Sequence, residues 1–262
     1  MFKLKQLWVR PELKPELEGA GLLDIESVSQ RDFDWFEAPN VRRGGWSGVA
    51  RIVLNPNAPA AEQKAVFLKI QQNHYYLAPN TFFLKRLTFE REFACLQAIR
   101  EHCDSIPETV LFAKWKLDGN DGAILVTEAL DNWIPLRPWL LGKLDRPAPD
   151  TDTLHRALSA IAQTAREINQ AGWIHMCFSA KHIFLKEREK GQFSVKVVDL
   201  EKTRRRIGLG RRAVKDCSHF MRHTPNLSQE NKLHFLQAYF QADTFSSSQK
   251  NLIRRMRGAP QI

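Results

Sequence analysis

The chain is short of cysteine and of long apolar runs, and each shortage rules something out. Its four cysteines, Cys95, Cys103, Cys177 and Cys217, stand far apart and form no Cys-x-x-Cys pair. A disulfide framework is therefore not expected, and a reducing cytosol suits the chain. A zinc site made from His175, Cys177, His182 and Cys217 finds no support in their spacing. No apolar stretch approaches the roughly 18 to 20 residues that a membrane-spanning helix needs. The first residues, Met1-Phe2-Lys3-Leu4-Lys5-Gln6-Leu7-Trp8, lack the apolar core and small-residue cleavage site of a signal peptide, so a cytoplasmic location is expected. Internal repeats and low-complexity tracts are missing too. What is present is an ordinary globular composition: 262 residues, 43% hydrophobic and 26% charged. That is enough for one large domain or for two lobes.

The net charge is +10, and the excess is local. Lys202, Arg204, Arg205, Arg206, Arg211 and Arg212 form one basic group, and Lys250, Arg254, Arg255 and Arg257 a second. Such groups attract phosphates on nucleic acid, anionic lipid or phosphorylated glycan, or they are a solvated basic face. Nucleic acid is disfavoured, because no aromatic-basic interleaving or recognition motif accompanies the charges.

Pattern along the chain changes character once. Residues 1 to 40 are mixed, punctuated by Pro11, Pro15 and Pro39. Strands are predicted over 49–54 and 65–70, a helix from Thr88 to Glu101, and strands over 110–117 and 123–127 joined by a hairpin loop at 118–122. After Glu128 helices dominate. Leu154, Leu158, Ile161, Ala165 and Ile168 give an apolar stripe that predicts a buried helix over 153–170. Short strands are expected at 183–186 and 193–198 around a turn at 188–191, then helices from about Asp216, with Leu233, Leu236 and Tyr239 on one face. The expected fold class is α+β, with a strand-rich N-lobe over residues 1–128 and a helical C-lobe over 129–262.

Within this frame, several polar residues carry chemistry. His175-Met176-Cys177, followed by His182 and then by Asp199 after an apolar strand, has the layout of a phosphotransferase catalytic loop and metal loop. The carboxylate position of that loop holds Cys177 and the Asn position holds His182. Asp199, at the mouth of a strand, suits a Mg²⁺ ion bridging ATP phosphates, with His182 as a second ligand. His175 is assigned to buttressing the loop. A thiol is a poor substitute for a carboxylate that accepts a hydrogen bond, but phosphoryl transfer depends mostly on positioning and charge neutralisation. Upstream, Gly44, Gly45, Ser47 and Gly48 lie in Arg43-Gly44-Gly45-Trp46-Ser47-Gly48-Val49, either a phosphate-cradling loop or a glycine-rich hairpin without a ligand. Lys69, in Val66-Phe67-Leu68-Lys69, suits contact with nucleotide phosphates. Glu92 is its expected partner and Glu90 the competitor. In a kinase fold the segment Ile124 to Leu130 would be the hinge whose backbone groups meet the nucleotide base, with Glu128 and Leu130 as the candidates by position alone.

The order of these pieces resembles the lipopolysaccharide kinase (Kdo/WaaP) family, and most closely its InaA-like branch. The matching segments are Pro39 to Gly48, Thr88-Phe89-Glu90-Arg91-Glu92-Phe93, Ile124-Leu125-Val126-Thr127-Glu128, His175 to Leu185, and Asp199 to Arg206, together spanning roughly residues 35 to 210. The resemblance implies a eukaryotic-kinase-like fold in a Gram-negative bacterium, with ATP and Mg²⁺ as cofactors. It implies phosphorylation of an inner-core sugar, heptose or Kdo, at the cytoplasmic face of the inner membrane. Heptose-kinase members have Asp where this chain has Cys177, whereas InaA-like members share the Cys and the His. Two readings follow. One is an active ATP:glycan phosphotransferase that contacts lipopolysaccharide core or another anionic glycan, peripheral on the inner membrane. The other is a pseudokinase that binds nucleotide and regulates envelope assembly or a stress response.

Overall fold

The computed structural model describes residues 1–42, 44–77 and 85–262; Arg43 of the glycine-rich segment lies outside them. The chain divides into two compact units, Met1–Gln97 with Pro107–Asp131, and Ala98–Ile106 with Asn132–Ile262.

The first unit is built on a six-stranded sheet in the order β1-β7-β8-β4-β3-β2. Its strands are β1 (Phe2–Val9), β2 (Trp35–Arg42), β3 (Gly45–Val53), β4 (Ala65–Gln72), β7 (Thr109–Leu117) and β8 (Asn120–Glu128), and every neighbouring pair is antiparallel. Two-residue strands β5 (Tyr75–Tyr76) and β6 (Arg86–Leu87) pair with each other. β4 shows why the sheet buries as it does. Val66, Leu68 and Ile70 alternate with Phe67 and Lys69, and only the first set is sealed. That set joins Leu17 of α1 (Lys14–Gly19), Ile25 and Val28 of α2 (Ile25–Gln30), Val110, Trp115, Ile124 and Val126 in one core. The opposite face receives α3 (Thr88–Arg100).

The hairpin between β7 and β8 is tighter than the sequence pattern indicates. Leu117 pairs with Asn120, so the turn is Asp118-Gly119 alone, with φ of 47° and 86°. Two consecutive positive φ values make the mirror-image turn whose twist matches the flanking strands, and Asp-Gly is a favoured pair for it. Asn120 to Gly122 continue the ladder instead of the loop. Residues 1 to 40 likewise hold more order than their mixed pattern suggests. β1 is a full edge strand, but a bulge between Leu4 and Gln6 breaks its alternation, which hides the period that a sequence reader counts.

The second unit centres on α5 (Thr151–Gln170), capped at Asp150, whose side chain accepts from Thr153 N. Leu154, Leu158, Ile161, Ala165 and Ile168 are all buried. α6 (Leu209–His223) and α7 (Gln229–Phe240) pack on it, and α8 (Ser247–Arg254) packs on α6. A three-stranded sheet orders β12 (Phe193–Val197), β11 (Ile183–Glu187) and β9 (Ile134–Pro135), and α4 (Leu136–Leu140) follows β9. β10 (Trp173–Ile174) pairs with β13 (Arg204–Arg205). α6 starts at Leu209, several residues before the expected Asp216. Its N-cap is Gly208, with no side-chain cap, and Gly210 sits in its first turn. Glycines and exposed arginines there leave no apolar period to read.

Candidate active-site residues in each unit

In the first unit one row of side chains crosses the sheet. Trp8 pairs with Phe112, Phe112 with Leu125, Leu125 with Lys69, and Lys69 with Val49. Residues directly opposite each other project from the same face. α3 lies on that face: the Phe93 ring stacks on Phe112 with centroids 4.3 Å apart, and Trp8 meets Phe93 at 5.6 Å. The aromatic stack fixes the helix, and Glu92, the residue before Phe93, is thereby aimed at Lys69. Lys69 Nζ donates to Glu92 Oε1 at 2.6 Å, with the Lys side chain 22% exposed and the Glu side chain 3%. The result is an ammonium of fixed orientation, held by a buried carboxylate whose second oxygen has no hydrogen-bond partner among the described residues. Glu90 is turned elsewhere. It accepts from Lys114 at 2.5 Å and from Leu87 N at 3.0 Å.

Gly44 has φ of +76° in the turn between β2 and β3. A Cβ on Gly48 would stand 2.5 Å from the Trp35 ring, and one on Gly45 would stand 2.5 Å from the Asn73 carbonyl. Turn geometry and close packing thus each give these glycines a reason independent of any ligand. Ser47 sits in the ladder opposite Gln71. At the end of β8, Glu128 N donates to Glu108 O and Ala129 N to Ala65 O, while Glu128 Oε1 accepts from Glu108 N. The amide N–H and one carboxylate oxygen of Glu128 are therefore engaged by Glu108. Among the described residues, the N–H of buried Leu130 is the first in this run without an intramolecular acceptor.

In the second unit His175 follows β10 and is used at both nitrogens. Nδ1 accepts from Cys177 N at 3.2 Å, so Nε2 carries the proton and donates to Val198 O at 3.0 Å. Burial, with His182 nearby, pulls its pKa down to about 4. It is a neutral stitch between the loop and the segment leading to Asp199. His182, at the end of a short 3-10 turn, donates from Nδ1 to Cys177 O at 2.8 Å. The other ring nitrogen, Nε2, lies 3.3 Å from Asp199 Oδ2. One nitrogen and one oxygen thus converge there, both of them atom types that bind a metal cation. Asp199 itself is left-handed, with φ of 64°, as is Met176 at 71°. A left-handed conformation at a non-glycine residue is the kind of local strain that surrounding structure must hold in place. Burial raises the Cys177 thiol above its ordinary value; Lys202 opposes the shift, and Asp199 and Asp216 add to it. The sulfur is a protonated thiol at neutral pH, neither a base nor an activated nucleophile.

The residue that sequence reading missed is Asp216. It lies on the buried stripe of α6 with Ala213, Cys217 and Phe220. Its carboxylate accepts from His175 N at 3.0 Å, Met176 N at 3.0 Å and Asn169 Nδ2 at 2.9 Å. Asn169 in turn donates to Trp173 O and accepts from Tyr239 OH at 2.8 Å. Burial lifts the Asp216 pKa to about 6 against these hydrogen bonds. The network holds the left-handed turn that presents Cys177. The signal available in the sequence was an acid at a position of α6 where the apolar spacing calls for a hydrophobe.

With this geometry in hand, likeness to known proteins is decisive. A model of the lipopolysaccharide kinase (Kdo/WaaP) family matches residues 26–239. The chain belongs to that family. Protein InaA of Escherichia coli (strain K12) is 29% identical over 174 residues, which cover 66% of this chain and 76% of InaA. A solved structure of WaaP in complex with acyl carrier protein superposes with a TM-score of 0.63 at 17% identity, covering 95% of this chain and 92% of WaaP. The fold is thus the α+β, two-lobed, protein-kinase-like one that the motif order implied. Membership places the chain among kinases, and a kinase uses ATP, usually with a divalent metal.

The residues suit such an ion in part. Asp199 and His182 offer one oxygen and one nitrogen. Among the described residues no three His, Cys, Asp or Glu side chains gather into a cage. An ion here would therefore complete its shell with substrate phosphates and water, as kinase ions do.

Proposed function

We propose that the chain transfers a phosphoryl group from ATP to a sugar hydroxyl of the lipopolysaccharide inner core, heptose or Kdo, at the cytoplasmic face of the inner membrane. The observation that carries this reading is the pairing of His182 Nε2 with Asp199 Oδ2 at 3.3 Å, with the imidazole fixed by the Cys177 carbonyl. In this reading Asp199 and His182 would hold the metal ion, which would supply charge neutralisation for the phosphates. Lys69, oriented by Glu92, contacts the phosphates, and the Leu130 N–H meets the adenine edge. His175 and Asp216 hold the loop in shape. The acceptor oxygen forms its bond to phosphorus as the bond to the ADP oxygen breaks. With Cys177 protonated, the hydroxyl proton leaves to solvent or to the transferred phosphate, which a loose transition state permits.

A second reading is favoured by that same thiol: a pseudokinase that binds nucleotide and acts through partners. Acyl carrier protein, found with WaaP, is a partner to test by co-purification.

The deciding experiment is transfer of labelled phosphate from Mg-ATP to purified core and dephosphorylated core, with Asp199→Ala as control. Label that enters the core and vanishes in the control supports the kinase. No transfer with nucleotide binding intact supports the pseudokinase. Asp199→Ala should also abolish Mg²⁺-dependent ATP binding, and unchanged affinity would remove Asp199 from the metal.

A further inference from the structure

The charge of this chain is lopsided. Residues 202–262 hold thirteen Lys and Arg against three acids, Asp216, Glu230 and Asp243, a surplus equal to the net +10 of the whole chain. Asp216 is buried and turned to His175. Much of the surplus converges on one groove.

Arg211, Lys215, His219 and Arg222 recur along α6 at helical spacing, and Arg255 and Arg257 follow α8. Together they line a cavity of about 440 Å³ with no carboxylate among its lining residues. That volume lies within the range of about 300–1,000 Å³ typical of small-ligand sites.

The groove is built rather than incidental. Arg257 N donates to Ser218 Oγ at 3.0 Å, and buried Ile253 and Met256 anchor the segment that carries Arg255 and Arg257. Gly258, with φ of +82°, has no room for a side chain, because a Cβ would stand 2.9 Å from Arg222 Cγ. Among the described residues none of the five Lys and Arg side chains in the groove forms an ion pair. Like charges gathered without counter-charge repel, and a multivalent anion reverses the sign of that interaction.

We propose that this groove, between α6 and the segment after α8, is a binding site for a phosphate-bearing anion. It uses none of the residues assigned above to nucleotide or metal. Arginine forks suit phosphate oxygens. Bound phosphate would touch the catalytic loop through His219, whose Nδ1 lies 3.1 Å from the carbonyl of Phe178, the residue after Cys177. The phosphate has two sources, a soluble phosphorylated molecule or a lipid headgroup. The fully exposed side chain of Ile207 and the exposed Leu209, just before Arg211, make the lipid source worth a separate arm.

The test uses the full chain with a chelator present, to silence any metal-dependent nucleotide site, at about 0.15 M salt. Pyrophosphate binding by calorimetry is the soluble arm. Sedimentation with phosphatidylcholine vesicles, with and without phosphatidylglycerol, is the lipid arm. At least one probe should bind, and Arg255→Glu with Arg257→Glu should weaken it by about tenfold or more. Circular dichroism and the thermal midpoint should be unchanged, since both side chains are exposed. If the double reversal does unsettle the fold, Arg255→Gln gives the same readout with a smaller loss. Binding of pyrophosphate assigns the soluble source; binding only to phosphatidylglycerol vesicles, lost in the variant, assigns the headgroup. Binding of neither probe, or binding unaffected by the groove variants but lost in Lys69→Met, overturns the proposal.

Discussion

The two units hold their chemical side chains by opposite means. In the first, Lys69 and Glu92 are aligned by apolar stacking: Phe93 lies on Phe112, and the helix that carries Glu92 goes where the rings put it. In the second, Cys177, His182 and Asp199 are aligned by buried polar groups. Asp216 gathers three donors, and His175 ties the turn to Val198. Aromatic packing tolerates small shifts at graded cost, whereas a polar network fails as soon as one donor is left without its acceptor. The first half is therefore robust in its geometry and costly in its core. The second is rigid but brittle.

The largest effect should come from removing the stack. Phe112→Ala should cost about 3–5 kcal/mol in urea unfolding, with Mg²⁺-independent nucleotide contact weakened along with it. A milder loss would mean that the strand ladder alone holds α3.

Asp216→Asn comes next, at about 2–3 kcal/mol, because an amide presents an N–H to a backbone N–H where the carboxylate had an acceptor. It should also change how stability depends on pH. Asp216 has its pKa raised to about 6 in the fold, so its contribution is present below its ordinary range and is lost as pH rises toward 6. His175, lowered to about 4 from 6.5, works the other way: its contribution is present above 6.5 and is lost as pH falls toward 4. The two oppose each other over most of that window. In Asp216→Asn only the His175 slope remains, and urea midpoints should climb more steeply with pH between about 4 and 6.5 than in the parent. Parallel curves would show that Asp216 does not titrate there.

His182→Asn exchanges a nitrogen ligand for the oxygen that Mg²⁺ prefers. The ratio of Mn²⁺ to Mg²⁺ affinity should fall by about tenfold, read from Mn²⁺ titration by electron paramagnetic resonance. An unchanged ratio would mean that the imidazole serves the loop alone. The smallest change is expected from Cys177→Asp, which should keep or raise phosphoryl transfer. Complete loss would give the thiol a role of its own.

Much of this was legible beforehand, and the gaps have causes. The strand β4 could be read because its apolar residues alternate, and α5 because its stripe is unbroken. The Lys69–Glu92 geometry followed from an acid beside an apolar residue of a helix. β1 stayed hidden because its bulge shifts the alternation midway, and the start of α6 because glycines flank it. Asp216 escaped notice since its partners, two backbone amides and an asparagine, lie some 40 residues away and leave no local pattern. The glycines of the β2–β3 turn show the converse. They invited a ligand reading, and Trp35 and Asn73 explain two of them by contact alone.

Helix α6 carries Asp216 on its inner side and Lys215, one residue earlier, on its outer side, about 100° around the axis. Substitutions that recolour the outer face leave the turn at Met176 untouched, so descendants of this sequence can change what the groove attracts without relearning how to shape the catalytic loop. Selection can act on the two faces at different speeds, and His219, which looks toward both, is where their histories have to agree.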